Sequence, residues 1–151
     1  MKGGRERIAV FLDIENMLCG ARDTVEVRAA MVHVAEALND LGARGTIVTA
    51  IACCNHFLAR RVIFQLATLG VRVFIHRGGP DAADHALIAR IRAELPATTD
   101  TVVIGSGDHI FAAVARELRA QGRRVEVRAA FGCLSAELYR AVDDFRLLTS
   151  A

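Results

Sequence analysis

Five short, mainly apolar runs alternate along the chain with longer segments whose apolar residues recur at helical spacing, and this alternation restricts the fold more than any other feature. Ile8–Leu12, Thr46–Cys53, Val71–His76, Thr101–Ile104 and Val125–Phe131 read as strands. Between them, Val27, Met31, Val34, Leu38 and Leu41 define a helix over Val25–Leu41 that Gly42 is expected to stop. Further helices are expected over Phe57–Leu69, closed by Gly70, from about Ala82 to Leu95, ended by Pro96, over Ile110–Ala120, stopped by Gly122, and over Ser135–Val142. Strands alternating with helices build a parallel sheet covered on both faces. Strands that are apolar along most of their length, as IAVFL and TVVI are, and not only at every second residue, are what a doubly covered sheet requires. Neither an internal repeat nor a linker interrupts the pattern. The expectation is one three-layer α/β/α, Rossmann-like domain over residues 1–151, with a central parallel sheet of about five strands.

Composition excludes several classes. A chain of 151 residues that is 53% hydrophobic and 24% charged buries a core and is not disordered. The net charge of +2 does not by itself announce a nucleic-acid partner, so the placement of basic residues matters more than their number. The basic start MKGGRER precedes an apolar run, IAVFL, too short for a signal peptide, and nowhere does the sequence approach the ~20 apolar residues of a membrane span. A cytoplasmic protein without a membrane anchor is expected, with enough apolar residues to leave a surface for a homodimer. Cys19, Cys53, Cys54 and Cys133 show no CxxC spacing and are expected to be reduced and mostly buried. A zinc site at Cys53, Cys54 and His56 is disfavoured because neighbours on a strand point to opposite faces.

Open α/β sheets bind ligands beyond the carboxyl ends of their strands. Asp13 directly follows the first strand, Asp108 follows the fourth through Gly105-Ser106-Gly107, and Asp84 stands in the first turn of the helix after the third. With the first strand central and the fourth beside it, these carboxylates meet in one cleft. Carboxylates so close repel one another unless a cation joins them, and their hard oxygens suit Mg²⁺ or Mn²⁺ better than zinc. Each residue also suits a local role: Asp13 and Asp108 as helix N-caps, Asp84 as a complement to a helix dipole. Asn16 adds an amide able to hold a water or a phosphate oxygen, or simply a turn. Ser106, between two glycines, offers its hydroxyl and the loop's backbone N–H groups to a substrate phosphate in the same cleft, although the pattern is not a P-loop and lacks its lysine. Asp81 reads as the cap of the helix carrying Asp84.

In order, these segments resemble the NYN domains of the PIN-like nuclease family. VFLDIENM is similar to that family's DxxN opening, DHALI to its middle acidic segment, GSGDHIFAAVARELRAQGRRVEV to its SGD segment with helix and following strand, and LSAELYRAVDDF to its closing helix. The resemblance implies a PIN-like fold with strand order 3-2-1-4-5. It also implies metal-dependent hydrolysis of RNA phosphodiesters by water, with Asp13, Asp84 and Asp108 as ligands of Mg²⁺ or Mn²⁺ and Asn16 in support. The family segment often reads SGDxDF; here Ile110 occupies the second acidic position and His109 precedes it. One firmly held ion is therefore expected, with His109 a phosphate contact or proton donor.

RNA, single-stranded or structured, also needs cations beside the cleft. Arg22, Arg77 and Arg60 or Arg61 are placed for phosphate, whereas Arg119, Arg123 and Arg124 fall towards the opposite edge. One Tyr and no Trp argue against a base-stacking platform. Two other readings stay open. One is an RNA-binding or regulatory module on the same fold, which Ile110 favours. The other is a phosphotransfer enzyme, which Glu15 (where a second Asp would stand) and the lack of a suitable lysine oppose.

Overall fold

A computed structural model of the chain describes residues 4–19, 21, 23–78 and 82–148. Six strands form one parallel sheet: β1 (Arg7–Asp13), β2 (Thr46–Asn55), β3 (Arg72–His76), β4 (Thr101–Gly105), β5 (Arg124–Ala130) and β6 (Asp144–Leu148), ordered 3-2-1-4-5-6. Helices α1 (Ile14–Met17), α2 (Thr24–Arg44), α3 (His56–Thr68), α4 (Ala82–Glu94), α5 (Ala112–Ala120) and α6 (Ala136–Ala141) connect them, with a 3-10 turn over His109–Phe111 before α5. The expected strand order is observed, extended by a sixth strand beside β5.

Period-two alternation along the central strand sorts the core into two layers. Ile8, Val10 and Leu12 face α2 and α3, packing with Val27, Met31, Val34, Leu38, Val62 and Leu66. Ala9 and Phe11 face the other layer, with Leu87 and Ile91 of α4, Phe111, and Leu118 of α5. The same parity sends Cys54 to the first layer and Cys53 to the second. Asp13, two residues past Phe11, is therefore directed towards the α4 side.

Local chemistry sets the helix ends. Asp23 caps α2 by accepting from Glu26 N at 2.8 Å, and Asn55 caps α3 by accepting from Leu58 N at 2.8 Å. Helix α2 runs through Gly42 to Arg44 and ends at Gly45, whose N–H donates to Leu41 O, because Leu41 still has core to cover. Gly70 and Gly122 adopt φ of 81° and 87°, the left-handed turns that release α3 and α5 into the next strands.

Candidate active site

The carboxyl ends of β1, β4 and β2 and the first turn of α4 meet at one point. Asp13 is 2% exposed and Asp84 6%. The two carboxyl groups are hydrogen-bonded to each other. Burial first, and then this partner, push the Asp13 carboxyl up to about 8; the hydrogen bond from Asn16 opposes the rise, and the charge of Glu15 adds to it. Two carboxylates in a dry site cannot both stay ionised, so they share a proton. A hard divalent cation is the other species that relieves such a pair, and one held by two carboxylates keeps room for water and phosphate. The donor set therefore fits Mg²⁺ or Mn²⁺.

Ser106 is fully buried. Its Oγ lies 3.5 Å from Asp13 Oδ2 and accepts from Asp108 N at 3.2 Å, joining the ends of β1 and β4. Asn16 Oδ1 accepts from Gly107 N at 2.8 Å, and Gly107 O accepts from Ser135 N at 2.8 Å. The N–H groups of Gly107 and Asp108, expected to face a phosphate, are thus engaged within the protein. A β-carbon on Gly107 would overlap the backbone of Cys133, so that position demands glycine.

The local roles weighed from the sequence are realised alongside this convergence. Asp13 Oδ1 accepts from Asn16 N at 3.3 Å and caps α1. Asp108 Oδ1 accepts from Ile110 N at 3.0 Å and lies 3.2 Å from His109 Nδ1, so its carboxylate is turned to the 3-10 turn. Among the described residues no group of three or more His, Cys, Asp or Glu side chains is gathered closely enough to hold a metal ion. The structure brings Asp13, Asp84, Ser106 and Asn16 together and sets Asp108 and His109 at the rim. Arg77 is exposed beyond β3, lining a depression with His56 and Arg60. Arg22 and Asp81 lie outside the described residues, as do Gly79 and Pro80 of the expected turn.

Three residues carry more of this edge than the sequence discloses. Glu15 Oε1 accepts from Asn55 N at 2.9 Å and contacts His76 Nε2 at 3.1 Å, clasping the ends of β2 and β3 to α1. In the sequence Glu15 stands out only for not being Asp, and His76 only as a strand end. Phe57, 71% exposed at the start of α3, reads there as no more than the opening of an apolar face. The cysteine expectation is also corrected. Cys19 and Cys133 form a disulfide with Cα atoms 7.3 Å apart, while Cys53 and Cys54 are free and buried. The two partners follow β1 and β5, and a parallel sheet delivers both loops to the same edge across a separation of 114 residues.

The sequence profile of the NYN domain matches residues 7–149. No curated protein matches significantly. Among solved structures, a crystal structure of a protein of unknown function from Vibrio parahaemolyticus is similar over 99% of this chain and 97% of its own, with a TM-score of 0.75 and 19% identity. That likeness is one of fold.

Proposed function

Because the chain belongs to the NYN domain family, whose fold is that of PIN-like nucleases, we propose that it hydrolyses RNA phosphodiester bonds at the edge where Asp13 meets Asp84. The observation that carries this reading is the pair of buried carboxyl groups, Asp13 and Asp84, facing each other at the sheet's carboxyl edge. Asp13 and Asp84 would hold the Mg²⁺ or Mn²⁺, and Asp108 would join them on giving up its cap of the 3-10 turn. When bound, such an ion neutralises phosphate charge and makes a nearby water acidic enough to attack.

The protein's own groups do the rest. Ser106 and Asn16 fix the distance between the β1 and β4 loops, so the carboxylates are oriented before substrate arrives. Asn16 Oδ1 is committed to Gly107, which leaves its amide N–H groups to meet a phosphate oxygen. His109, exposed beside Asp108, would contact the phosphate or donate a proton to the departing oxygen. Arg77, with Arg22, would hold flanking phosphates. A second reading, an RNA-binding module without catalysis, draws on Ile110 and on the use of Asp108 as a cap.

The deciding experiment is cleavage of a mixed single-stranded RNA pool under Mn²⁺ or Mg²⁺ by wild type, Asp13→Asn and Asp84→Asn. Either substitution is expected to lower the rate on the order of 100-fold or more. RNA that is bound but never cut by wild type would establish the binding module. Cleavage unchanged by Asp13→Asn would remove the site from this edge.

A further inference from the structure

We infer that single-stranded RNA leaves the carboxylate pair along one defined track, across the β2 and β3 ends and over the first turns of α3, with Phe57 stacking on a base and Arg60 and Arg77 holding phosphates. The inference rests on the proposed nuclease reading for the identity of the polymer, and deepens it. Helix α3 begins where β2 ends, because Asn55 caps it. Strands pair in the order β1, β2, β3, so Arg77, just past β3, lies roughly 10 Å across the edge from the strand of Asp13. That is a span for a nucleotide or two.

Two depressions flank the start of α3. One, of about 530 Å³, is lined by His56, Ile75 and Arg77; the other, of about 550 Å³, by Glu15, Asn55 and Phe57; Arg60 lines both. Glu15, two residues after Asp13, reaches the second depression from α1 and ties it to the β1 end. The His56 and Phe57 rings lie 4.0 Å apart and tilted by 35°, an aromatic step on the depression's rim. Neither Arg60 nor Arg77 forms an ion pair with a described residue, whereas Arg44, Arg124 and Arg128 each pair with Glu126, and Arg44 and Arg124 also with Glu6 and Asp144. Exposed arginines beside an exposed ring are the combination that grips unpaired nucleotides. A duplex keeps its bases stacked on one another and has none to offer Phe57.

Anisotropy with a fluorescein-labelled 12-nucleotide single-stranded RNA in EDTA reads binding apart from cleavage. Phe57→Ala is expected to weaken binding about tenfold, Phe57→Leu nearly as much, and Phe57→Trp to retain it. Arg60→Ala with Arg77→Ala should reduce the salt slope by about 1.4, ~0.7 for each phosphate no longer held. Arg116→Ala, on the surface of α5, should bind as wild type does. Equal binding of single-stranded DNA supports the track, since stacking and phosphate contacts do not read the 2′-hydroxyl. The track is overturned if wild type does not bind, if duplex RNA binds as tightly as single strands, or if the Phe57 and arginine variants bind normally. Loss of a dimer in Phe57→Ala would assign the ring to a second copy and overturn it too. Cleavage that fails while binding in EDTA obeys these variants would remove the catalytic reading alone.

Discussion

At Asp13 one carboxyl group caps α1, meets Asp84 and titrates near 8, and these duties have a consequence for stability. Its folded pKa is raised, so the stabilisation is complete below the unfolded value near 3.8 and is lost as pH rises through about 8. Without divalent cation, the melting temperature should therefore fall between pH 6 and pH 9. Asp13→Asn should remove most of that slope and gain about 5 °C at pH 9. Mn²⁺ should restore wild type at pH 9, but not the variant, and at pH 7 its binding should release about one proton. Scanning fluorimetry and calorimetry in two buffers would measure these effects; identical slopes in wild type and Asp13→Asn would refute the shared proton. Asp13, Asp84 and Asp108 were legible as strand-end acids because their positions follow from periodicity. The bond from Gly107 N to Asn16 Oδ1 was not, since its partners stand 91 residues apart and only the fold joins them.

Element boundaries were legible wherever a core face had to be covered, and less so where it did not. Strand β5 shows the limit: VEVRAA reads as part of an apolar run, yet Glu126 and Arg128 are both buried within it. Sequence shows such charges without showing their partners. Burial alone would raise the Glu126 carboxyl, but hydrogen bonds from Arg44, Arg124 and Arg128 hold it down to about 2. The stabilisation this confers is present above about 4.5 and is lost as pH falls towards 2. Glu126→Gln leaves the buried Arg128 without its carboxylate, while Arg44 keeps Glu6 and Arg124 keeps Asp144, and should cost about 3–5 kcal/mol at neutral pH. Urea unfolding at pH 7 and pH 3 should show the gap between wild type and variant narrowing in acid; a constant gap would mean that the charge is not what matters. Strand β6 escapes a sequence reading for another reason. It is a five-residue edge strand with mixed exposure, and DFRLL after Asp143 carries no period that separates it from a fraying helix.

Across the whole molecule, the disulfide spans most of the chain and ties the loop after β1 to the loop after β5. Reduction should lower the melting temperature by about 10 °C. The Cys53 and Cys54 thiols are pushed up to about 11 and 12, chiefly by burial, and should resist alkylation in the native state. Mass spectrometry should find no iodoacetamide adduct before mild reduction and two after it; two adducts without reduction would show that Cys19 and Cys133 do not pair. Among the described residues no helix is long and apolar enough to cross a membrane. The parallel sheet also has two unlike rims. Its carboxyl rim gathers Asp13, Asp84 and Asn16, while its amino rim is bound by Arg44, Glu6, Arg124 and Glu126, with Asp100 accepting from Arg7 N at 2.9 Å. Such a division lets descent act on the rims separately. An acid at the first rim can be exchanged, and the chemistry changed with it, while the scaffold is inherited intact. Drift at the second rim has no comparable freedom, because there each loss is felt by the fold before any substrate is met.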